Sequence, residues 1–181
     1  MKRIDTAIKD CFIIEPKVFE DERGYFFESF NQKTFNDLAG FEVTFVQDNE
    51  SYSSKGVLRG LHYQLGAHAQ AKLVRVVKGT VLDVAVDIRD GSKTFGQYVA
   101  VELSEANKRQ LFVPRGFAHG FIVLSDTALF AYKCDNFYNK ASEGGIIYDD
   151  PSLNIDWRLP QNQLIVSKKD VSLPKLVNAK L

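Results

Sequence analysis

Imidazole is scarce in this chain: of 181 residues, only His62, His68 and His119 carry it. Two of them stand in unusual company. His62 lies in Leu58-Arg59-Gly60-Leu61-His62-Tyr63-Gln64, and His119 in Pro114-Arg115-Gly116-Phe117-Ala118-His119-Gly120. Histidines on the strands of a small barrel first suggest a metal site, because neutral imidazole is the commonest protein ligand for metals. A divalent ion needs three or four ligands, and they are not visible here. Gln64 stands where the second histidine of a His-x-His pair would be, and no Glu follows within a few residues. The two cysteines, Cys11 and Cys134, have no C-x-x-C spacing, which argues against a zinc site and a disulfide framework.

His62 has a second use as a general base, since free imidazole titrates at about 6.5. The structural alternative is a core histidine satisfied by a backbone carbonyl. Strand alternation sends Leu58, Gly60, His62 and Gln64 to one side, and Gly60 leaves room beside the imidazole. Lys72 shares a strand face with Val74 and Val76. There its ammonium must find a partner, hold an anion or snorkel to water from the strand end. Tyr132 shares a face with Ala128, Phe130 and Cys134, the position of a core tyrosine whose hydroxyl finds a hydrogen bond. Arg23, Arg59, Arg115 and Lys168 are individually ordinary surface residues. No dinucleotide fingerprint, P-loop or nucleophile elbow occurs.

Short strands must position these groups. The chain predicts strands over Tyr25–Phe30, Glu42–Gln47, Val57–Gln64, Lys72–Val77, Thr80–Arg89, Tyr98–Leu103, Arg109–Val113, Ala118–Leu124 and Ala128–Asp135. Turn signals such as Lys78-Gly79 and Pro114-Arg115-Gly116 separate several of them. Thr80–Ile88 alternates, with Leu82, Val84, Val86 and Ile88 opposite Val81, Asp83, Ala85 and Asp87. One helix is expected, capped by Asn31, carrying Phe35 and Leu38 and ended by Gly40. The pattern predicts an all-β sandwich, jelly roll or small barrel, one domain over residues 1–181 with N- and C-terminal extensions, the last fifteen or so residues forming an irregular tail.

Composition narrows the partners. Lys and Arg equal Asp and Glu at 23 each, so no global positive field attracts nucleic acid or an anionic membrane, and any anionic ligand must be held by a local cationic cluster. Residues 1–10 contain no apolar signal segment, and no apolar run approaches the roughly 20 residues that span a bilayer. A cytoplasmic protein is the expectation.

Taken in order, a set of segments resembles the dTDP-4-dehydrorhamnose 3,5-epimerase family. They are Phe19-Glu20-Asp21-Glu22-Arg23-Gly24-Tyr25-Phe26, Phe45-Val46-Gln47-Asp48-Asn49-Glu50-Ser51 and Gly56 to Gln64. Gln70 to Val76, Phe112 to Phe121, Tyr132-Lys133-Cys134, Gly144-Gly145-Ile146, Asp149-Asp150-Pro151 and Ser167-Lys168-Lys169-Asp170 follow. The resemblance implies a cupin-like jelly-roll barrel, no metal or other cofactor, and a homodimer that exchanges N-terminal strands. It implies that His62 is the base, Asp170 its dyad partner, Tyr132 the acid on the opposite face, and Lys72 the cation at the enolate oxygen. Arg23, Phe26, Glu28, Gln47, Asn49, Arg59, His119, Glu143 and Lys168 correspond to ligand-binding positions, and Tyr138 to the aromatic that stacks on the thymine ring. Arg59 and His62 are three apart, so a regular strand aims them to opposite faces, and a bulge at Gly60 would reconcile them.

The implied reaction suits these residues. A ketone at C4 acidifies the hydrogens on C3 and C5, and a fixed cation stabilises the enolate oxygen where charge develops. Two groups on opposite walls take a proton from one face and return it to the other, while a carboxylate orients the imidazole. Arginines match a diphosphate through bidentate hydrogen bonds. The rival readings are a single-site epimerase or ketoisomerase on a related dTDP-sugar, a non-catalytic sugar-nucleotide-binding jelly roll, and a metal-dependent cupin.

Overall fold

The computed structural model describes residues 1–181. The chain opens with β1 (Lys2–Asp5), β2 (Phe12–Glu15) and a short hairpin, β3 (Phe19–Asp21) and β4 (Gly24–Phe26), before its one α-helix, α1 (Gln32–Ala39). Then come β5 (Gln47–Ser54), β6 (Val57–Gln64), β7 (Lys72–Lys78) and β8 (Thr80–Asp87). β9 (Tyr98–Ser104), β10 (Gln110–Val113), β11 (Phe117–Val123) and β12 (Thr127–Cys134) complete the barrel, and β13 (Glu143–Gly145) and β14 (Ile165–Val166) belong to the C-terminal segment. No helix is long and apolar enough to cross a membrane.

The strands form two facing sheets, ordered β1-β2-β10-β7-β12-β5 and β13-β6-β11-β8-β9, in a cupin-like jelly roll. Pairing is antiparallel throughout except for β14, which runs parallel to β6. Each face finds a cover because the apolar residues fall into three groups. Val74, Val81, Ala85, Leu111, Phe121 and Phe130, drawn from both sheets, fill the barrel. Leu58, Leu61, Leu82, Val84 and Val86 point the other way, onto Ile146, Tyr148 and Trp157 of the C-terminal segment. Phe35 and Ala39 of α1 pack on Phe12, Leu73 and Phe112 on the outer face of the first sheet. Burying one such Phe contributes about 1.5–3 kcal/mol. The helix boundaries follow their caps: Asn31 accepts from the Thr34 N–H at 3.0 Å, and Gly40, at φ 79°, donates to the Asn36 carbonyl at 2.9 Å.

Two expected strands differ from the sequence reading. Glu42–Gln47 is mostly irregular: Val43 is drawn under α1, and continuous pairing begins only at Gln47, opposite Cys134. Tyr25–Phe30 is strand only as far as Phe26, and its hairpin pairs with no other strand of the chain. The irregular tail is present as 3₁₀ turns at Asp170–Ser172 and Leu176–Asn178, with Leu176 and Ala179 packed on the second sheet's outer cluster.

Candidate active site

β6 and β11 carry the two histidines side by side, His62 opposite His119. Further along, Arg59 lies opposite Phe121, so three steps on β6 match two on β11. This is a bulge at Gly60, whose φ of +135° favours glycine. It corrects the simple alternation: Leu58 turns outward with Leu61 and Tyr63, while Arg59, His62 and Gln64 all line the cavity. The crossing is tight. A Cβ on Gly60 would lie 2.5 Å from Gly120 Cα, and one on Gly120 would lie 2.7 Å from the Arg59 carbonyl oxygen.

The cavity between the sheets has two lobes, of about 540 and 300 Å³. His62, Lys72 and Tyr132 line both, so they stand at the junction. Asp170, Arg59 and His119 line the larger lobe, and Gln47, Asn49, Tyr138 and Glu143 the smaller. Thus all four expected catalytic side chains and six of the expected ligand-binding ones come together. Arg23 and Phe26 do not: they sit on the β3–β4 hairpin, where Arg23 pairs with Asp21 at 2.5 Å and Phe26 is 72% exposed. Glu28 follows the hairpin and accepts from Asn31 at 3.1 Å. Lys168 is exposed, while its neighbour Lys169 lines the larger lobe and bridges Glu143 at 2.6 Å.

His62 Nε2 lies 2.7 Å from Asp170 Oδ1, and the Asp170 side chain is 5% exposed. Burial opposes ionisation of Asp170, but the hydrogen bond from His62, its charge whenever the imidazole is protonated, and the Gly60 N–H outweigh it and hold the carboxyl below its ordinary range. An ionised carboxylate only accepts, so His62 Nε2 carries the proton and Nδ1 remains to take up another. Lys72 starts β7 with Val74 and Val76 behind it. Burial pushes its pKa down, with nearby Cys134 and Asp83 pulling it back, and its Nζ lies 5.8 Å from the Tyr132 ring centroid. Burial raises the pKa of the Tyr132 hydroxyl, which keeps its proton at neutral pH.

Several contributors were not singled out from the sequence. Asp83, fully buried on β8, holds His119 Nε2 at 3.0 Å with both oxygens. Ser53 accepts from Arg59 Nε at 3.1 Å. Gln64, noted in the sequence only for standing in place of a second histidine, accepts through Oε1 from the Asn139 N–H at 2.7 Å. The alternation of Thr80–Ile88 already set Asp83 beside Val81 and Ala85, and an acid on an apolar face was the available signal. No three His, Cys, Asp or Glu side chains converge as a metal ion would require.

A model of the family described as dTDP-4-dehydrorhamnose 3,5-epimerase matches residues 5–178. The chain is 59% identical over 179 residues to the dTDP-4-dehydrorhamnose 3,5-epimerase of Shigella flexneri, covering 99% of this chain and 98% of that protein. Among solved structures, the dTDP-4-dehydrorhamnose 3,5-epimerase of Elizabethkingia anophelis NUHP1 superposes with a TM-score of 0.93 at 60% identity, covering 97% of this chain and 96% of that one. The dTDP-6-deoxy-D-glucose-3,5-epimerase of Legionella pneumophila Philadelphia 1, solved in complex with dTDP-4-keto-L-rhamnose, superposes with a TM-score of 0.94 at 55% identity over 98% of this chain and 93% of that one. The match of family model, sequence and fold over nearly the whole length places this chain in the dTDP-4-dehydrorhamnose 3,5-epimerase family.

Proposed function

We propose that the protein epimerises C3 and C5 of dTDP-4-dehydro-6-deoxy-D-glucose to give dTDP-4-dehydro-L-rhamnose, without a metal, through an enolate. The observation that carries this reading is the position of His62 and Tyr132 on opposite sheets, both lining the cavity junction together with Lys72. His62 Nδ1 removes the proton from the carbon beside the ketone. Asp170 stabilises the imidazolium that results, and Lys72 faces the C4 oxygen as it becomes negative. Tyr132 returns a proton from the other face, and inversion follows.

The smaller lobe takes the nucleotide, with Tyr138 stacking on thymine, and the arginines hold the diphosphate. Arg23, Phe26 and Glu28 serve this purpose from a partner. Phe19, Tyr25 and Phe26 are 53%, 59% and 72% exposed on a hairpin without strand neighbours, which supports an exchange of that hairpin in a homodimer. The working protein is then a cytoplasmic homodimer of a single jelly-roll domain. Sedimentation should give a dimer at micromolar concentration, and deleting the first thirty residues should abolish activity; a stable, fully active monomer refutes the exchange. Proton NMR of the substrate in deuterated water tests the reaction. Deuterium at both C3 and C5 with inverted product supports it, label at one carbon indicates a single-site epimerase, and no label refutes catalysis.

A further inference from the structure

We propose that Asp83 is a positioning residue that locks His119 in its Nε2–H tautomer, so that Nδ1 stands in the catalytic cavity as the acceptor for a hydroxyl of the bound hexose. The inference rests on the epimerase reading and assigns a task to a carboxylate the mechanism has not used. Asp83 has no exposure and sits on β8 in a barrel interior otherwise built from Val81, Ala85, Phe121 and Phe130. An ionised carboxylate there is costly unless it is matched. Its side chain makes one set of hydrogen bonds, from His119 Nε2 to both oxygens at 3.0 Å. Such a symmetric acceptor demands N–H at Nε2.

The other ring nitrogen is then a lone-pair acceptor. His119 is only 7% exposed, yet it lines the larger lobe beside His62, and its Nδ1 bonds to no group of the chain. Nor is that nitrogen sealed in the packing: the buried side-chain polar atoms that are both sealed and unpartnered are Ser51 Oγ and Gln64 Nε2. An unsealed, unpaired acceptor in a deeply buried side chain that lines the cavity takes its donor from whatever fills the cavity, water in the free protein and the ligand in the complex. Diphosphate oxygens and the ketone are acceptors, and under the proposed function the thymine and deoxyribose donors lie in the smaller lobe, so the matching group in the larger lobe is a hydroxyl of the hexose. The cavity therefore carries two imidazoles on adjacent strands, each with a carboxylate on its Nε2. His62 takes a proton from carbon, and His119 takes a hydrogen bond from oxygen.

The test compares wild type, Asp83→Asn, His119→Asn and the double variant in three measurements. Nitrogen-15 NMR of the wild-type imidazoles should show His119 protonated at Nε2 alone, and Asp83→Asn, which is isosteric, should give a tautomer mixture. Unreactive dTDP-glucose should bind Asp83→Asn about three- to tenfold more weakly, as for one neutral hydrogen bond, while dTDP alone binds within about twofold of wild type on the same basis. In the His119→Asn background, Asp83→Asn should cost less than about threefold further, because the pair acts as a unit. Equal loss for dTDP and dTDP-glucose, unchanged dTDP-glucose binding, or full additivity overturns the proposal. A wild-type protein that exchanges no deuterium refutes the epimerase reading instead, and leaves the NMR and binding results to be read on their own.

Discussion

Replacing Asp170 by Asn removes one charge from the dyad and alters almost nothing else. At 2.7 Å and an effective dielectric constant of about 20, a carboxylate and an imidazolium attract by about 6 kcal/mol if both charges sit on the contacting atoms. The imidazolium shares its charge between two nitrogens and His62 keeps partial solvent contact, which leaves about 3–4 kcal/mol. That attraction exists only after His62 has taken a proton, so it stabilises the transition state and not the resting enzyme. At 1.36 kcal/mol per factor of ten, Asp170→Asn should lower kcat by about 10²–10³ and KM by less than about threefold. Asn also permits the opposite tautomer by donating to Nε2, which adds to the loss. The assay is the initial rate of deuterium incorporation at C3 and C5 by proton NMR, with circular dichroism to confirm the fold. A loss below about tenfold with the fold intact would refute the claim that Asp170 stabilises an imidazolium in the rate-limiting step.

The other expectations test separate parts of the cavity and its frame. Lys72→Met should lower kcat by about 10²–10³ through loss of the enolate cation, yet leave Tm unchanged or higher, since a desolvated ammonium is removed. Tyr132→Phe should wash deuterium into the substrate while forming little inverted product, with a stability loss of about 1 kcal/mol or less; wild-type inversion would mean that another group is the acid. Gly120→Ala should destabilise by about 1–3 kcal/mol, because the new methyl meets backbone at 2.7 Å, and a thermal melt reads it. Burial raises the pKa of the Asp87 carboxyl, but hydrogen bonds from Arg89, Ser92 and Thr94 outweigh it and hold the group well below its ordinary range. That stability is present above the unfolded pKa of about 3.9 and is lost as pH falls below it. Asp87→Asn should therefore lose about 3 kcal/mol at pH 7 and flatten the acid limb, as urea titrations at pH 7 and pH 3 would report.

Where local chemistry decides, the sequence was readable. Asn31 and Gly40 set the helix because a side-chain acceptor and a left-handed residue are needed at fixed places. Val57–Gln64 was found to the residue. The bulge at Gly60 followed from the family resemblance, which puts both Arg59 and His62 in the site although they are three apart; its effect on Leu58 did not, because alternation says nothing about where a register slips. Thr80–Ile88 shows a deeper limit. Both faces of β8 are buried, so the more apolar face carried no sign of being outward, under the C-terminal segment, with Asp83 pointing into the barrel. The hairpin was legible only in part: the aromatic run predicted a strand from Tyr25, but no strand of the chain outside the hairpin pairs with it, and the strand ends at Phe26.

The two-sheet construction itself explains why this barrel suits inversion of a carbon centre. A proton must leave one face of a flat enolate and return to the other, so acid and base have to approach from opposite sides and remain there. Groups on one sheet share a side. Here His62 comes from β6 of one sheet, and Tyr132 from β12 of the other, with Lys72 on β7 next to β12. The proposed base, His62, is tied by its carboxylate to the C-terminal segment, where Ser167 Oγ accepts the Asp170 N–H at 3.0 Å. Tyr132, the proposed acid, has no such tether: burial, with Cys134 nearby, pushes its pKa up and keeps the hydroxyl protonated. Opposite faces are thus supplied by architecture, and the orientation of the imidazole and the retained phenol proton by local environment, which is why neither the fold nor the residues alone would specify the reaction.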